Sequence, residues 1–218
     1  MKDLNEENRI MIEKLKREGY LSSKRIENAF LSFPRHLFVP EDYLDYAYVD
    51  TPIPIGEDST ISAFHMVAIM LEILNPKKGE KVLEIGTGSG WQAALLSYLV
   101  GENGLVVSVE INKDVYKFAK KNLEKLKLRN VKVILGDGSV GYKSLAPYDK
   151  IIVTAACAFN IPKPLIGQLK EGGILVAPVE KEFGYQELVK LRKTGGKNEM
   201  ERLMGVAFVK LKGKYGFE

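Results

Sequence analysis

The sequence predicts a doubly wound, mostly parallel α/β sheet of Rossmann-like type, with an N-terminal helical extension and late antiparallel strands. Three observations predict it. From Glu80 onward, short Val- and Ile-rich runs such as Tyr148-Asp-Lys-Ile-Ile-Val153 alternate with helical patterns. Runs apolar on both sides of the chain suit strands covered on both faces. The run Lys81–Ile85 ends in Gly86, Gly88 and Gly90, and a helical stretch opening at Trp91 follows at once. That is the pattern of a buried strand, a tight turn and a helix N-terminus.

At 218 residues, 45% apolar and 28% charged, the chain has the size and composition of one globular domain with a sizeable core. Residues 1–78 read as the helical extension and 79–218 as the α/β core. No run of about 18 apolar residues occurs, so no membrane partner is expected. The charged start Met1-Lys-Asp-Leu-Asn-Glu-Glu7 lacks a secretory apolar stretch, which makes the cytoplasm the expected location. A single cysteine, Cys157, excludes an intrachain disulfide and a cysteine-rich zinc site, and no metal is expected. The net charge of +4 is mild, and Lys and Glu are interspersed. No nucleic-acid partner is expected, and a monomer is the expected state.

The elements follow in order. Asn5–Glu18 carries Ile10, Ile12 and Leu15 among charges and stops at Gly19, an amphipathic helix. Ser22 or Ser23 caps a second helix bearing Ile26, Ala29, Phe30 and Leu31, which Pro34 ends. Phe38–Asp58, rich in Tyr, Pro and Asp, reads as irregular. Ile61–Leu74 reads as a helix with Met66, Ile69, Met70 and Ile73 on one face. Then come strand Val82–Ile85, helix Trp91–Leu99, strand Gly104–Glu110, helix Lys113–Leu126, strand Val131–Leu135 and strand Tyr148–Val153. A short helix Pro164–Leu169 precedes strand Gly173–Pro178, and Leu188–Arg192 and Val206–Leu211 read as late strands.

Ligands of such sheets sit beyond the carboxyl ends of the strands. The glycine spacing is Gly-x-Gly-x-Gly, not the Gly-x-Gly-x-x-Gly of dinucleotide sites. With Glu84 two positions before Gly86, and Thr87 and Ser89 inside the turn, it points to a cradle for S-adenosyl-L-methionine (AdoMet). Glu110 ends the next strand, where a carboxylate suits ribose hydroxyls; an acidic residue at a solvent edge is the plainer alternative. Asp137 follows the third strand and could accept from an adenine amino group, while Gly138 offers a bare backbone N–H; an ordinary Asp-Gly turn competes.

Leu83-Glu-Ile-Gly-Thr-Gly-Ser-Gly-Trp91 and Gly136-Asp-Gly138 are joined by more particular stretches. These are Phe33-Pro-Arg-His-Leu-Phe-Val-Pro40, Ile55-Gly56 with Thr60-Ile-Ser62, Ala146-Pro-Tyr-Asp149, Gln168-Leu-Lys-Glu-Gly-Gly173 and Gly205-Val-Ala-Phe-Val209. Over nearly its whole length the chain resembles the protein-L-isoaspartate (D-aspartate) O-methyltransferases. The resemblance implies methyl transfer from AdoMet to the free carboxylate of isoaspartyl residues, the substrates being damaged proteins and peptides. One departure is Phe64, where family members commonly carry Pro.

A carboxylate nucleophile has a reference pKa of about 4, is ionised at neutral pH and needs no general base. The task left is orientation. Thr60 and Ser62 hydroxyls suit it as donors, and the family's functional serine maps onto Ser62; capping of a helix starting near Ala63 is the competing role. Ile61 and His65 are expected to line the AdoMet pocket, although a histidine satisfied within the structure is nearly as good a reading of His65. Val209, in the expected last strand, is a candidate to pair with an extended peptide. Trp91 packs on either the cofactor or the core. A methyltransferase acting on RNA or a small molecule is the main rival; a nicotinamide oxidoreductase and a non-catalytic AdoMet binder are the others. Methyltransferases acting on RNA or small molecules lack Thr60-Ile-Ser62 and Pro34-Arg-x-x-Phe-Val-Pro40 in this order; the glycine spacing counts against the oxidoreductase, and intact Thr60, Ser62, Glu110 and Asp137 against the non-catalytic binder.

Overall fold

The computed structural model describes residues 3–217. Helix α1 (Leu4–Arg17) begins under the Asp3 carboxylate, which accepts from the backbone N–H groups of Asn5 and Glu6. Helix α2 (Lys24–Ser32) follows. Ser22 and Ser23 do not act through their hydroxyls there; their backbone N–H groups donate to the Glu72 carboxylate at 2.8 and 2.7 Å. A 3-10 turn, Arg35–Phe38, leads into the stretch expected to be irregular, which holds a second one, Glu41–Tyr46, and strand β1 (Ile53–Gly56), which pairs antiparallel with β2 (Ser59–Ile61). Helix α3 therefore spans Phe64–Leu74 and does not include Ile61. Its buried Phe64, Val67, Ala68, Leu71 and Leu74 make one stripe at helical spacing.

The core then alternates: β3 (Lys81–Ile85), α4 (Trp91–Val100), β4 (Leu105–Glu110), α5 (Lys113–Lys125), β5 (Val131–Leu135) and β6 (Tyr148–Val153). A two-residue strand β7 (Cys157–Ala158) and helix α6 (Lys163–Gln168) lead into β8 (Leu169–Glu180), which is longer than the apolar run Gly173–Pro178 suggests. Strands β9 (Gln186–Thr194) and β10 (Lys197–Val206) complete the sheet, whose order is β10-β9-β8-β6-β3-β4-β5. The five strands from β8 to β5 run parallel, and β9 and β10 are antiparallel additions.

Neighbouring strand residues serve opposite faces. Val82, Val106, Ile152, Val176 and Leu188 belong to the core shared with α1–α4. Leu83, Val107, Ile151, Leu175 and Val189 belong to the core under α6. This is why the strand sequences read as unbroken apolar runs.

The expected last strand is displaced. β10 is an edge strand, mostly exposed, with the sequence Lys-Asn-Glu-Met-Glu-Arg-Leu-Met-Gly-Val, so no alternating apolar signal marks it. Its true marker is Gly195-Gly196, both at positive φ, the two-residue loop that joins β9 to β10. Residues 207–209 lie beyond the strand, and Val209 is held through its carbonyl, which accepts from the Ala156 N–H at 2.8 Å.

Candidate functional site

Chain order leaves β3 outward through β4 to β5 and returns to β6 on the other side of β3. The carboxyl ends of β3 and β6 therefore open a crevice at the point where winding reverses. Two adjoining cavities lie there, of about 830 and 510 Å³.

The glycine turn forms their shared floor. Gly86 and Gly88 line both cavities, and both have positive φ, +90° and +56°. A side chain on Gly88 would meet nothing nearer than the Thr60 carbonyl at 3.7 Å, so its backbone is open towards the cavity. At Gly86 a Cβ would collide with the Thr154 hydroxyl, which donates to the Gly86 carbonyl at 2.8 Å. Thr154 directly follows β6 and lines both cavities; its strand-end position was a signal in the sequence. Gly90 lines neither cavity: Leu123 Cγ of α5 lies 3.0 Å from where its Cβ would stand, so the missing side chain leaves room for Leu123.

Glu110 lies in the smaller cavity, with Oε2 accepting from the Gly88 N–H and Oε1 from the Asn112 N–H, each at 3.0 Å. One carboxylate thereby joins the glycine turn to the end of β4, and each oxygen retains a lone pair. Gly138 lines the same cavity, tight against Ile85, whose Cγ2 lies 2.6 Å from where a Cβ would stand. Asp137 lines neither cavity. Its oxygens accept from the Ser139 N–H and hydroxyl and from the Lys214 N–H, closing the turn and tying down the tail.

Glu84 also lines neither cavity. It is fully buried beneath the turn, where its carboxylate accepts from the Ser108 hydroxyl, which in turn meets the Thr87 hydroxyl at 2.6 Å. Burial pushes its carboxyl up to about 8, which favours the protonated form beneath the turn. Thr87 and Ser89, both buried, line the larger cavity; the Ser89 hydroxyl accepts from the Trp91 N–H. Trp91 is a core residue that reaches the cavity wall: it is 1% exposed, packs edge-on to Phe30 and Phe64, and donates to the Phe33 carbonyl.

The opposite wall is the hairpin β1–β2 and the start of α3. Thr60 lines both cavities, and Ile61, Ser62 and His65 line the larger. Neither Thr60 nor Ser62 caps α3: the N-cap is Ala63, and the Asp50 carboxylate accepts from the His65 N–H instead. Among the described residues no hydrogen bond engages either hydroxyl. The same Asp50 oxygen lies 3.0 Å from His65 Nδ1, a pairing across 15 residues that no sequence pattern flags. Phe64, in place of proline, stacks on Phe30 and Tyr48 and meets Trp91 edge-on, so it anchors the helix start by packing.

Beneath this wall lies Arg35, fully buried. Its two terminal nitrogens donate to the carbonyls of Ala47, Val49, Thr51, Ile61 and Ser62 at 2.8–3.2 Å, and the guanidinium sits over Phe64 and Trp91. Burial pulls its pKa down to about 10, which leaves it charged at neutral pH. Val209 lines both cavities from the third side. Cys157 is buried in the apolar core, with its thiol pushed up to about 12. No group of three His, Cys, Asp or Glu among the described residues is arranged to hold a metal ion.

The family model for "Protein-L-isoaspartate(D-aspartate) O-methyltransferase (PCMT)" matches residues 5–216. A protein-L-isoaspartate O-methyltransferase 1 of Archaeoglobus fulgidus is 52% identical, over 99% of this chain and 97% of its own. The protein-L-isoaspartate O-methyltransferase of Pyrococcus abyssi is 49% identical, over 99% of both chains. A crystal structure of a Plasmodium falciparum protein described under the same family name, in complex with S-adenosyl-L-homocysteine, superposes with a TM-score of 0.83 at 31% identity, covering 93% of this chain and 96% of its own. The glycine turn, the Thr60-Ile-Ser62 wall and these full-length matches lead to one conclusion: the chain belongs to the protein-L-isoaspartate (D-aspartate) O-methyltransferase family.

Proposed function

We infer that the protein transfers a methyl group from AdoMet to the free carboxylate of L-isoaspartyl residues in damaged proteins and peptides, the first step of their repair. What supports this reading most is that Thr60 and Ser62, whose hydroxyls make no hydrogen bond among the described residues, line the same cavity as the glycine turn. The residues fit the co-substrate: Gly88 leaves its backbone open, and Glu110 offers two oxygens beside it. AdoMet supplies an electrophilic methyl group on a sulfonium centre.

The chain's own residues do the rest. Glu110 accepts from ribose hydroxyls, Gly138 passes close to the adenine ring, and the Gly86–Ser89 backbone with Ile61 and His65 surrounds the remainder. Glu84 acts from below, as a neutral prop for Ser108 and Thr87. Thr60 and Ser62 donate to the substrate carboxylate and fix its direction. No side chain removes a proton, because the carboxylate is ionised well above its pKa of about 4. Correct orientation of two reactants is worth up to about 7–11 kcal/mol in ideal models.

The proposal includes a single-domain, monomeric, cytoplasmic enzyme that acts on polypeptide rather than nucleic acid or membrane. The interspersed Lys and Glu and the mild net charge of +4 support a polypeptide substrate over a polyanion. No helix among the described residues is long and apolar enough to cross a membrane. The test is incubation with methyl-labelled AdoMet and two peptides differing only in isoaspartate against aspartate. Label is expected in the isoaspartyl peptide alone; equal labelling of both, or of neither, contradicts the assignment.

A further inference from the structure

The larger cavity extends past the groups that methyl transfer uses. Its far wall comes from Tyr185, just before β9, and from Met204, Val206 and Phe208 at the end of β10 and in the loop after it. No charged side chain stands on this wall. Tyr185 is 56% exposed and Met204 40% exposed, although both are large and apolar. Gly205 makes the arrangement possible: a Cβ there would stand 2.8 Å from the Tyr185 oxygen, so the ring lies close against bare backbone. Phe183, at the tip of the same β8–β9 connection, is fully exposed. An apolar surface of this kind, continuous with a binding cavity, marks a contact site.

We propose that this wall is a subsite for an apolar side chain flanking the isoaspartyl residue of the substrate. The inference rests on the methyl-acceptor reading given above. An isoaspartyl residue standing at Thr60 and Ser62 continues into its neighbours along the chain, and the cavity's extension offers one neighbour a pocket. The composition of the wall suits an occupant of variable shape. Met204 is unbranched and polarisable and adapts to different partners. Tyr185 gives a broad face with little loss of rotamer freedom. Damage can arise in many sequences, and a soft apolar subsite adds affinity without demanding one side chain. Because the contact forms before and during transfer alike, it acts on KM and leaves kcat alone.

The test uses the full chain and a set of short isoaspartyl peptides. One has alanine at both flanks, one has leucine on the amino side and one has leucine on the carboxyl side. For the unaltered protein, leucine on one side is expected to lower KM by about tenfold with kcat unchanged, the effect of half to full burial of one such side chain. In Met204→Ser and Tyr185→Ala, the ratio of KM between the alanine and leucine peptides is expected to fall to about twofold. Both positions are half exposed, so the fold tolerates the changes, and circular dichroism checks this. Equal KM for all three peptides, or an undiminished ratio in both variants, overturns the subsite while leaving the methyltransferase reading intact. Failure of every isoaspartyl peptide to accept a methyl group overturns that reading instead. If the variants change sedimentation rather than the KM ratio, the wall is a contact between two copies of this chain, and the proposal is wrong.

Discussion

The glycine turn after β3 and the β1–β2 hairpin face each other across one cavity, yet they are held in place by different means. The turn hangs from the most constrained part of the molecule. β3 is paired on both sides, to β4 and β6, and its Ile85 is locked in register with Val109 and Val153. Glu110 and Thr154, from those two neighbouring strand ends, then bond back to the turn itself. The hairpin has no such ladder, only two strands of four and three residues. Isolated two-stranded hairpins are marginal in water. Ile53 and Ile61 bury into the core, and one guanidinium collects carbonyls from Ala47 through Ser62. The glycine-turn wall is thus fixed by the sheet, and the hairpin wall by side chains, Arg35 foremost, with Asp50 on His65 and Phe64 packed beside it.

The sharpest way to break this comparison is Arg35→Ala. It strands five carbonyls, of which those of Ala47 and Ile61 are buried, and a loss of about 3–5 kcal/mol of stability is expected, since each buried acceptor left unsatisfied costs about 1–3 kcal/mol. Hydrogen exchange should show residues 53–65 deprotected while the amides of β3, β4 and β6 stay protected. Uniform loss across both regions would mean that the hairpin is not independently tethered.

The next effect falls on the glycine-turn wall. Glu110→Gln retains shape but removes a charge-assisted acceptor. AdoMet affinity, measured by calorimetry, is expected to fall roughly tenfold to a hundredfold, since hydrogen bonds to charged groups are worth about 1.5–3 kcal/mol. An unchanged affinity would remove Glu110 from the site.

The smallest effect concerns the support beneath the turn. The Glu84 carboxyl is raised from 4.5 to about 8 by burial, so the fold holds a proton that the unfolded chain releases above 4.5. Stability from this group is therefore fully present below pH 4.5 and drains away as pH rises towards 8, by at most about 1.4 kcal/mol per pH unit. Glu84→Gln, which carries no such proton, should gain about 1 kcal/mol on the wild type between pH 6 and 7 in urea titrations. A constant difference between the two proteins across that interval would show that the carboxyl is not neutral in the fold.

The same contrast governs what the sequence could reveal. Strand periodicity and the glycines of the turn are local, so the sheet and the glycine-turn wall of the cavity were legible, down to Glu110, which lines the smaller cavity at its strand end. Glu84 and Gly90 flank the turn without lining a cavity: Glu84, in β3, supports it from below, and Gly90, at its end, leaves room for Leu123. Of the hairpin wall, the family resemblance singled out Thr60 and Ser62, and both line the larger cavity. What holds that wall was not legible, because Arg35 and Asp50 act across 12 to 27 residues and follow no period. β10 escaped because an exposed edge strand carries no apolar alternation, and its Gly195-Gly196 loop was the clue to weigh.

In the proposed reaction, hydroxyl groups aim an acceptor that is already charged. Single-turnover methyl transfer to an isoaspartyl peptide by Ser62→Ala, set beside its AdoMet affinity, tests it most directly. The rate should fall by about 100- to 1,000-fold, the loss typical of removing one preorganised donor, with AdoMet affinity within about twofold of the parent. A rate equal to that of the unaltered protein, or a fall in rate matched by an equal loss of AdoMet binding, would contradict the account.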